Sequence, residues 1–559
     1  MIQWSPSEGI EATDELMNII TCSESVAVLA GAGAGKTELL AQKANYLFFT
    51  DQCAWPKRIL SLTFKTEAQL NISERVKKRC GDKATRFDSF TFHAFCKSIV
   101  DRFKNVLSEA KRPINNYDIV FYRQDANGVD KILMDNLLSL AITILRARPD
   151  IRDMFSSSYG YVFIDEFQDT TNVQYELIQL LFQNTDSTLL IVGDINQSIM
   201  LWAGARKTVF TDFLNDFQAT KKFLVKNYRA SAEIQYVLGV ILQYIEDPKQ
   251  LVWQPSPSPN CSLNVFSDEY QEASFIVENI QKLISSGVSA GDICVLSKQQ
   301  SPQYTEILRE ALTKNGINNL EMSELQDALK EPLGKLFSLF LKALVCPTPK
   351  VMTELFGINL VLNKVDVGDN KEEELTTSII KFISLKQGLL TTDTTVDELL
   401  SYTQSFIHVL GTQKIKGRWK QYKSPEYYNL IWRTLEIHLR NMYSQSDSLE
   451  DASKLFNAES AVQIMNIHKC KGLEYHAVYF IGLEDQAFWN YTKEPFENNC
   501  AIYVALSRAK RKLCVTYSKH RDHRCNFRHD NRKSTPKKII PIINLLVENC
   551  NFSYTNHTK

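Results

Sequence analysis

Apolar runs of strand type alternate with helical patterns over about the first 220 residues of the chain. The runs Val26–Leu29 and Tyr161–Ile164, for example, each end in a short loop rich in small or polar residues. Strands that alternate with helices in this way predict a parallel, doubly wound α/β sheet. Ligands of such sheets bind at the carboxyl ends of the strands, so the loops after these runs are the first places to look for chemistry.

A second α/β region follows and is interrupted by a long helical stretch. The segments NCSLNVFSD and GDICVLSK are predicted strands, and QEASFIVENIQKLISS between them is a predicted helix. From about Gly334 to Leu455 the apolar residues recur near the helical period of 3.6. We therefore predict a second α/β domain that carries a helical insertion.

The composition limits the class of protein. The chain has 559 residues and 44% hydrophobic content, enough for roughly three or four domains. Lys plus Arg and Asp plus Glu both total 64, so any polyanion must be met by local patches. Twelve scattered cysteines without a C-x-x-C pair indicate a reducing cytoplasm. The N-terminus does not combine a basic start with an apolar core, so we do not expect a secretion signal. The sequence also contains no run of 18 apolar residues, so we do not expect a membrane-spanning helix.

A loop of small residues joins the first strand-type run to a helical pattern and ends in Lys36 and Thr37. Backbone N–H groups of such a loop curl around phosphates, the lysine reaches the β and γ phosphates, and the threonine hydroxyl ligates Mg²⁺. The predicted cradle consists of Gly31, Ala32, Gly33, Ala34 and Gly35. Ala30 replaces the first glycine of the strict pattern. A glycine-rich turn without a ligand is the alternative, and the order strand, loop, helix argues against it.

Two carboxylates, Asp165 and Glu166, follow the run Tyr161–Ile164 directly. An isolated acidic pair at such a place is most often a solvated strand end. A P-loop NTPase, however, needs one carboxylate in the Mg²⁺ shell and another group that positions or deprotonates the attacking water. Since the phosphate cradle is in the same chain, we expect Asp165 to serve Mg²⁺ and Glu166 to act on the water.

Eight short motifs can be identified between residues 29 and 510. They are LAGAGAGKT, SLTFKTEA, TFHAFC, IDEFQDT, VGDINQSIMLWAGA, LVKNYRA, VQIMNIHKCKGLEY and YVALSRAK. Their order and residue types resemble motifs I, Ia, Ib, II, III, IV, V and VI of the superfamily 1A DNA helicases of the UvrD/Rep/PcrA type. The resemblance implies two RecA-like P-loop NTPase domains, both parallel doubly wound sheets, with helical insertions.

The resemblance also implies residues that complete ATP hydrolysis. Gln197 would sense the γ-phosphate, since an amide can donate to phosphate and hold water. Arg229 and Arg508 would reach the γ-phosphate from the opposite domain, where a guanidinium stabilises charge on the transferred phosphoryl group. Glu474 would bind the ribose. Without their motifs, Gln197 would be interpreted as a polar loop residue and both arginines as surface residues.

Single-stranded or tailed duplex DNA is the implied partner. A motor on one strand needs aromatic faces for bases and small polar donors for phosphates. By resemblance Trp202 is the base-stacking candidate, and His468 lies with Lys471 in the segment that links ATP to DNA. The strand path is implied for Thr63, Phe64, Thr91, Phe92 and His93. Trp202 and Phe92 could equally be core aromatics, core packing is favoured for Phe64, and His468 could be a packed core histidine.

The chain departs from the family pattern in four places. Glu8 stands where the family reads adenine with a glutamine, and a carboxylate cannot donate to adenine N7. In motif III, Met200 and Ala203 replace a favoured tyrosine and arginine. Asn466 replaces a threonine in motif V, and a basic pair before motif VI is replaced by Asn499 and Cys500. The ATPase residues are thus intact, whereas the parts that couple hydrolysis to DNA are expected to be remodelled.

The motifs predict the domain boundaries. Motor domain 1A would comprise residues 1–104 and 156–220, with a small helical insertion, 1B, at 105–155. Motor domain 2A would comprise residues 221–333 and 456–559, with a compact helical insertion, 2B, at 334–455. Residues 519–538 hold eight Lys or Arg and two Asp, a local charge of 8 − 2 = +6. That stretch could bind nucleic acid or an acidic partner, or be a solvated tail.

We expect an ATP- and Mg²⁺-dependent motor that moves 3′ to 5′ on single-stranded DNA and could separate duplexes, in DNA repair or anti-phage defence. The direction of movement and the preference for DNA follow only from the resemblance. The alternative is a DNA-sensing regulatory ATPase with little unwinding activity, favoured by the compact insertions and the altered motif III. The chain is also similar to the helicase-like subunit of the Gabija anti-phage system, which would imply a nuclease partner subunit.

Overall fold

The computed structural model describes residues 4–31, 33–64, 66–115, 117–120, 123–197, 204–224, 227, 229–246, 258–322, 325–365, 369–523 and 536–558. The chain folds into two compact units. The first unit contains Met1–Val252 and Lys493–Ser507, and the second contains Trp253–Thr492 and Arg508–Lys559. Among the described residues, we find no helix that combines the length and the apolar character needed to span a membrane.

The first 246 residues alternate strands and helices. The strands are β1 Val26–Ala30, β2 Arg58–Thr63, β3 Phe87–Thr91, β4 Asp118–Val120, β5 Lys131–Leu133, β6 Tyr159–Ile164, β7 Thr188–Gly193 and β8 Thr220–Leu224. The α-helices are α1 Asp14–Ile20, α2 Lys36–Phe49, α3 Thr66–Cys80, α4 Phe92–Phe103, α5 Asn136–Ala147, α6 Pro149–Ser158, α7 Asn172–Phe182, α8 Val209–Asp216 and α9 Ala232–Glu246.

Six of these strands form one parallel sheet in the order β3-β2-β6-β7-β1-β8. Strands β1, β6 and β7 consist almost entirely of buried residues, because helices cover both faces of the sheet. Separate hydrophobic clusters fill the two sides, one against α2 and the other against α4, α5 and α7. The fold class is therefore the predicted doubly wound α/β sheet.

The range 105–155, predicted as a helical insertion, is only partly helical. Besides α5 and most of α6, this range contains the strands β4 and β5, which pair in parallel as a separate two-stranded sheet. The range is also not an independent body, because Leu137, Ile144 and Ile151 are buried in the same hydrophobic cluster as strand residues of the main sheet. The apolar face of α5 needs the sheet and its helices for burial.

The motifs place the start of the second motor domain at residue 221, whereas the strand at this point belongs to the first sheet. Strand β8 pairs in parallel with β1, from Thr220 beside Val26 to Leu224 beside Ala30. Helix α9 belongs to the first unit as well, and the boundary between the units lies at Val252. Motif order could not reveal this, because the neighbour of a strand is decided by long-range pairing.

The second sheet is also parallel, with seven strands in the order β11-β12-β10-β13-β14-β9-β15. Its strands are β9 Ser258–Asp268, β10 Ile293–Ser297, β11 Asn319–Glu321, β12 Val462–Asn466, β13 Tyr475–Phe480, β14 Ala509–His520 and β15 Phe552–Asn556. The α-helices after β9 are α10 Glu269–Ser285, α11 Ser301–Tyr304, α12 Glu306–Lys314, α13 Leu325–Lys330, α14 Pro332–Val345, α15 Pro349–Asn363, α16 Asn370–Gln387, α17 Val396–Leu410, α18 Thr412–Arg418, α19 Pro425–Ser444, α20 Leu449–Phe456, α21 Pro495–Leu506 and α22 Ile540–Asn544.

Helices α14 to α20 form a helical layer within the second unit. Helix α14 lies at its centre, with Phe340 stacked on Phe406 of α17 at a ring distance of 4.4 Å. Glu331, at the N-cap of α14, accepts hydrogen bonds of 2.8 Å from the hydroxyls of Tyr422 and Tyr427. This carboxylate joins the start of α14 to the region around α19.

Helix α21 packs with the first unit although its neighbours in sequence belong to the second. It is buried on all sides, including Asn498 and Asn499, and Lys207 Nζ lies 5.6 Å from the ring centre of its Phe496. A helix without a polar face must be buried by neighbouring elements on every side. The first unit provides them.

Candidate functional site

The loop after β1 is shaped by two glycines with left-handed backbones. Gly33 has φ +72° and Gly35 has φ +82°, and Gly35 is the N-cap of α2. A Cβ on Gly33 would lie 2.5 Å from Asn227 Oδ1 and 2.9 Å from Arg229 Cβ. Only glycine fits there, for space and for φ. Helix α2 begins at Lys36, so the loop precedes a helix N-terminus, a ready site for a phosphate.

Lys36 points its amine towards the end of β6. Its Nζ lies 3.4 Å from Glu166 Oε2, and its side chain is 13% exposed. Burial alone would lower the pKa of Lys36, but the nearby carboxylates Glu166, Asp194 and Asp165 outweigh burial and raise it. The lysine is therefore held charged among anionic groups, as a phosphate ligand must be.

Glu166 adopts a left-handed backbone, with φ 51° and ψ 41°. This conformation is uncommon for a residue with a side chain, and such strain concentrates at functional sites. The Glu166 N–H donates to Asp165 Oδ1 at 2.9 Å, and Gln168 Nε2 donates to Glu166 Oε2 at 2.6 Å. The turn thus directs the Glu166 carboxylate back towards Lys36.

Gln168 connects the ends of two neighbouring strands, β6 and β7. While its Nε2 holds Glu166, its Oε1 accepts the N–H of Asp194 at 2.9 Å, the first residue after β7. Gly193 makes this contact possible, since a Cβ there would lie 2.4 Å from Gln168 Oε1. Asp194 Oδ2 in turn accepts from Gln197 Nε2 at 2.8 Å. Glu166, Gln168, Asp194 and Gln197 form one hydrogen-bonded chain, which we call the carboxylate hub.

Burial raises the pKa of Asp194, and Lys36 and the Gln197 amide oppose that rise. Sequence reasoning missed Asp194, Gln168 and Asn227 as functional residues. Asp194 directly follows an apolar strand, just as Asp165 does, and this shared signal could have identified it. The role of Gln168 could not be identified in this way, because it depends on the contact between two loops.

The arrangement fits a nucleotide with its Mg²⁺ ion. Asp165 is 6% exposed and stands at the carboxyl end of β6, and Thr37 lies in the first turn of α2. Hydroxyl and carboxylate oxygens are the ligands that Mg²⁺ prefers, together with phosphate oxygens and water. Of the predicted cradle, Gly31, Gly33, Ala34 and Gly35 are described, and Ala32 lies outside the described residues.

The resemblance implies that Arg229 approaches the phosphate loop from another domain, but the structure places it differently. It belongs to the first unit, and its Cβ lies beside Gly33. Its backbone N–H donates to Asn227 Oδ1 at 2.8 Å, which fixes the turn after β8. The expectation was wrong because β8 pairs in the first sheet and carries Arg229 to the side of the phosphate loop.

Arg508 and Glu474 belong to the second unit. Arg508 is 2% exposed, and its Nη1 donates to the carbonyl oxygen of Leu473 at 3.3 Å. Glu474 Oε1 lies 2.9 Å from Lys510 Nζ. The two predicted residues are therefore neighbours at the start of β13 and β14. Their roles towards γ-phosphate and ribose remain predictions.

The predicted strand-path residues of the first unit differ in exposure. Thr63 is 1% exposed, and Thr91 caps α4 by accepting the Ala94 N–H at 3.2 Å. His93 Nε2 lies 3.7 Å from Asp135 Oδ1, and burial lowers its pKa against the effect of that carboxylate. These side chains serve local structure at the ends of β2 and β3.

Phe92 cannot stack on a base in this conformation. It is 1% exposed and lies in the hydrophobic cluster beneath the sheet, with the partly buried Phe64 at a ring distance of 5.1 Å. Of the two interpretations that the sequence allows for Phe92, core packing is the correct one. Trp202, Met200 and Ala203 lie outside the described residues.

His468 lies beyond the carboxyl end of β12 in the second unit. Burial lowers the pKa of His468, and the cations Lys298 and Lys471 lower it further. Both lysines are therefore close to the imidazole. The loop that contains His468 and Lys471 begins at Asn466, whose Oδ1 accepts the Lys469 N–H at 3.1 Å, whereas Lys298 follows β10. This edge of the second sheet is cationic, in contrast to the edge that holds the carboxylate hub.

Two other departures from the family pattern can be located. Glu8 lies exposed in a turn beside α2, where Ser7 N–H donates to Gln42 Oε1 at 3.0 Å. Asn499 and Cys500 are buried in α21, at 6% and 0% exposure. Charged side chains would be expensive at these two positions unless paired, so the uncharged residues match their surroundings.

Family models match both halves of the chain. The model for the UvrD/REP helicase N-terminal domain matches residues 12–120 and 119–218. The model for the UvrD-like helicase C-terminal domain matches residues 223–448 and 392–520. Together these matches extend over most of both units.

Curated relatives match over nearly the whole chain. ATP-dependent DNA helicase PcrA of Bacillus subtilis is 24% identical, over 94% of this chain and 84% of its own length. A probable DNA helicase II homolog of Mycoplasma capricolum is also 24% identical, over 90% of this chain and 84% of its own. PcrA of Staphylococcus aureus is 22% identical, over 91% of this chain and 83% of its own.

Proposed function

Because two helicase-domain models match most of its length, the chain belongs to the UvrD/Rep helicase family, and we propose that it couples ATP hydrolysis to movement along single-stranded DNA. The proposed direction is 3′ to 5′, as the resemblance implies. The relatives named ATP-dependent DNA helicase support the choice of substrates. A role in DNA repair or in anti-phage defence would follow from such an activity.

The observation that carries the proposal is the carboxylate hub around Lys36. Lys36 Nζ, Glu166 and Asp194 come from three neighbouring strand ends of one parallel sheet and interact through charges and hydrogen bonds. A partly buried lysine among carboxylates, beside a glycine loop at a helix N-terminus, is suited to a triphosphate with a divalent cation.

In the proposed mechanism, backbone N–H groups of the loop at 31–35 and the Lys36 amine bind the phosphates of ATP. Thr37 and Asp165 would hold Mg²⁺, which supplies charge neutralisation for the β and γ phosphates when bound. Glu166 accepts the proton of the attacking water. Gln168 positions Glu166, and Gln197 orients the water and the γ-phosphate from the end of β7.

The arginines stabilise charge on the transferred phosphoryl group. Arg229 acts from beside Gly33, within the same unit as the loop. Arg508, carried by the second RecA-like domain, would make hydrolysis depend on the position of that domain. This dependence is how nucleotide state would drive stepwise movement on DNA.

Strand displacement tests this function. The protein is incubated with ATP, Mg²⁺ and duplexes that carry a single-stranded tail at either the 3′ or the 5′ end, and ATP turnover is measured in parallel. We expect displacement from 3′ tails and much less from 5′ tails, with no displacement by the Lys36→Ala variant. Displacement from 5′ tails alone would contradict the direction, and the lack of any DNA-stimulated turnover would contradict the function.

A second candidate is a regulatory ATPase that senses DNA and acts on a nuclease partner subunit. The uncharged Asn499 and Cys500, buried before motif VI, support it, because the part that couples hydrolysis to DNA differs from the family pattern there. The same assay separates the two. Turnover stimulated by DNA without strand displacement would favour the sensing ATPase.

A further inference from the structure

Trp489 is a large aromatic residue whose exposure has no structural explanation within its own unit. Its side chain is 53% exposed, whereas its neighbour Phe488 is fully buried. Leaving a tryptophan face in solvent forgoes the free energy that burial of its apolar surface would supply. We propose that Trp489 is a stacking platform for a base of single-stranded DNA, an inference that rests on the proposed function.

The platform stands on a rigid base. Phe488 N–H donates to the carbonyl oxygen of Glu484 at 3.0 Å, and Tyr491 N–H donates to that of Phe488 at 2.9 Å. The Phe488 ring meets Phe480, the last residue of β13, edge to face at 6.3 Å. The carbonyl oxygen of Trp489 itself accepts Lys538 Nζ at 2.8 Å. The backbone under the indole is therefore fixed on both sides.

Two lysines, Lys298 and Lys538, lie beside the platform. Lys298 Nζ lies 4.3 Å from the ring centre of Phe488 and donates to Asn490 Oδ1 at 3.4 Å. Lys538, whose side chain is exposed, donates its Nζ to the backbone carbonyl oxygen of Trp489. An aromatic face combined with lysines that follow a phosphate backbone is how proteins bind single strands without reading sequence.

The acidic groups of this segment do not oppose a phosphate. Asp485 accepts the backbone N–H groups of Lys537, Lys538 and Ile539 at 2.9 to 3.1 Å, so its charge is compensated. Glu484 is fully buried, where it accepts the Tyr304 hydroxyl at 2.7 Å. The exposed indole of Trp489 therefore has the exposed Lys538 beside it, while Asp485 and Glu484 are engaged by other groups.

Sheet topology explains why these residues meet. Lys298 follows β10, His468 follows β12 and the segment with Trp489 follows β13, and these are adjacent strands in the order β12-β10-β13. Backbone bonds continue past the strand ends, from Ile467 N–H to Ser297 O at 3.0 Å and from Ile481 N–H to Leu296 O at 2.9 Å. Carboxyl ends of parallel strands are where α/β domains bind ligands.

The test uses a fluorescein-labelled oligothymidylate and fluorescence anisotropy at one fixed salt concentration. We expect Trp489→Ala to bind about 10-fold more weakly than the wild type, since stacking on one aromatic side chain is worth about that factor. Trp489→Phe retains a ring and is expected to restore most of the affinity. The preference of the wild type for this strand over an abasic strand of equal charge should shrink in Trp489→Ala.

Trp55→Ala is the matched control. Trp55 is 82% exposed but precedes β2, so it lies at the amino end of the first sheet, away from the strand ends that bind ligands. Its variant should bind like the wild type. Because Trp489 is also exposed, its substitution should leave the unfolding midpoint in urea unchanged, which excludes misfolding as the cause of weaker binding.

Ultraviolet crosslinking locates the contact directly. A single strand that carries 5-iododeoxyuridine should crosslink to the peptide containing Trp489, and the crosslink should vanish in Trp489→Ala. If the wild type binds the strand but Trp489→Ala binds equally well and the crosslink lies elsewhere, the stacking proposal is wrong and the face is free for a protein partner. If the wild type does not bind the strand at all, the proposed function itself fails.

Discussion

The two sheets of the molecule have the same architecture and opposite chemistry at their carboxyl edges. In the first unit, the ends of β6 and β7 carry the carboxylate hub, and Lys36 at the start of α2 points into it. In the second, the ends of β10, β12 and β13 carry Lys298, His468 and Trp489. The topology thus sets where a ligand binds, and the side chains at that edge set which ligand it is. The anionic edge suits a metal–nucleotide complex, and the cationic, aromatic edge suits a single strand.

The largest expected effect comes from removing the hub's base. Glu166→Gln keeps the size of the side chain but cannot accept a proton, so kcat for ATP hydrolysis should fall by about 10³-fold. Nucleotide binding should persist in this variant, whereas Lys36→Ala should lose both binding and turnover. Steady-state hydrolysis and binding of a fluorescent ATP analogue measure the two quantities. Near-normal turnover in either variant would remove the catalytic assignment.

A smaller effect is expected from separating the two strand ends that form the hub. In Gly193→Ala the new methyl group would lie 2.4 Å from Gln168 Oε1, so the amide that holds Glu166 must move. Overpacking of this kind costs about 1 to 3 kcal/mol, and we expect kcat to fall by about 10-fold.

Gly239→Ala is the control for Gly193→Ala. Gly239 lies exposed on α9 with open space around its Cβ position, and alanine there should leave turnover unchanged and add up to about 1 kcal/mol of stability. Equal turnover in the two alanine variants would show that the contact between Gln168 and Asp194 is not needed for catalysis.

The comparison also shows what the sequence could and could not reveal. The position of the first edge followed from apolar runs that end in loops, and Lys36, Asp165 and Glu166 were identified from residue type and place. The pairing of β8 with β1, and with it the position of Arg229, could not be predicted, because neighbouring strands are chosen by contacts remote in sequence. The sequence alone could not distinguish a base-stacking role from core packing for Phe92, because the two roles differ only in the burial of its side chain.

A cationic edge predicts a salt effect on DNA binding. Lys298→Ala should weaken binding of all single strands about equally and reduce the slope of log Kd against log salt by about 1, because one phosphate contact is lost. Lys282→Ala is the control, since Lys282 is exposed on α10 and pairs with Glu278 at 2.6 Å. The same slope for wild type and Lys298→Ala would indicate that this lysine does not contact the strand.

The smallest expected effect concerns Lys43, a second lysine of α2, for which we find no carboxylate partner among the described residues. Lys43 donates to the carbonyl oxygens of Ile20 and Cys22 at 2.7 and 2.5 Å, and burial lowers its pKa to about 8. Lys36, two helical turns earlier, has a raised pKa because carboxylates surround it. The opposite pKa shifts of these two lysines on one helix show how the carboxylate hub changes the pKa of a lysine.

The pKa of Lys43 has a consequence for stability. The unfolded chain, with a lysine pKa near 10.4, binds more protons than the folded one above the folded pKa, so stability rises with pH in that window. From about pH 7 to about pH 9 the gain should be about 1 kcal/mol. Urea unfolding of the wild type and of Lys43→Met at both pH values measures it. The same pH dependence in both proteins would refute the lowered pKa.

The central claim, that the two edges act as one motor, is tested most directly by the steady-state rate of ATP hydrolysis with and without an oligothymidylate. We expect the single strand to raise kcat by about 10-fold or more, and Glu166→Gln to remain inactive in both conditions. A wild-type rate that the strand leaves unchanged would contradict it, because the carboxylate hub would then hydrolyse ATP without any link to the cationic edge.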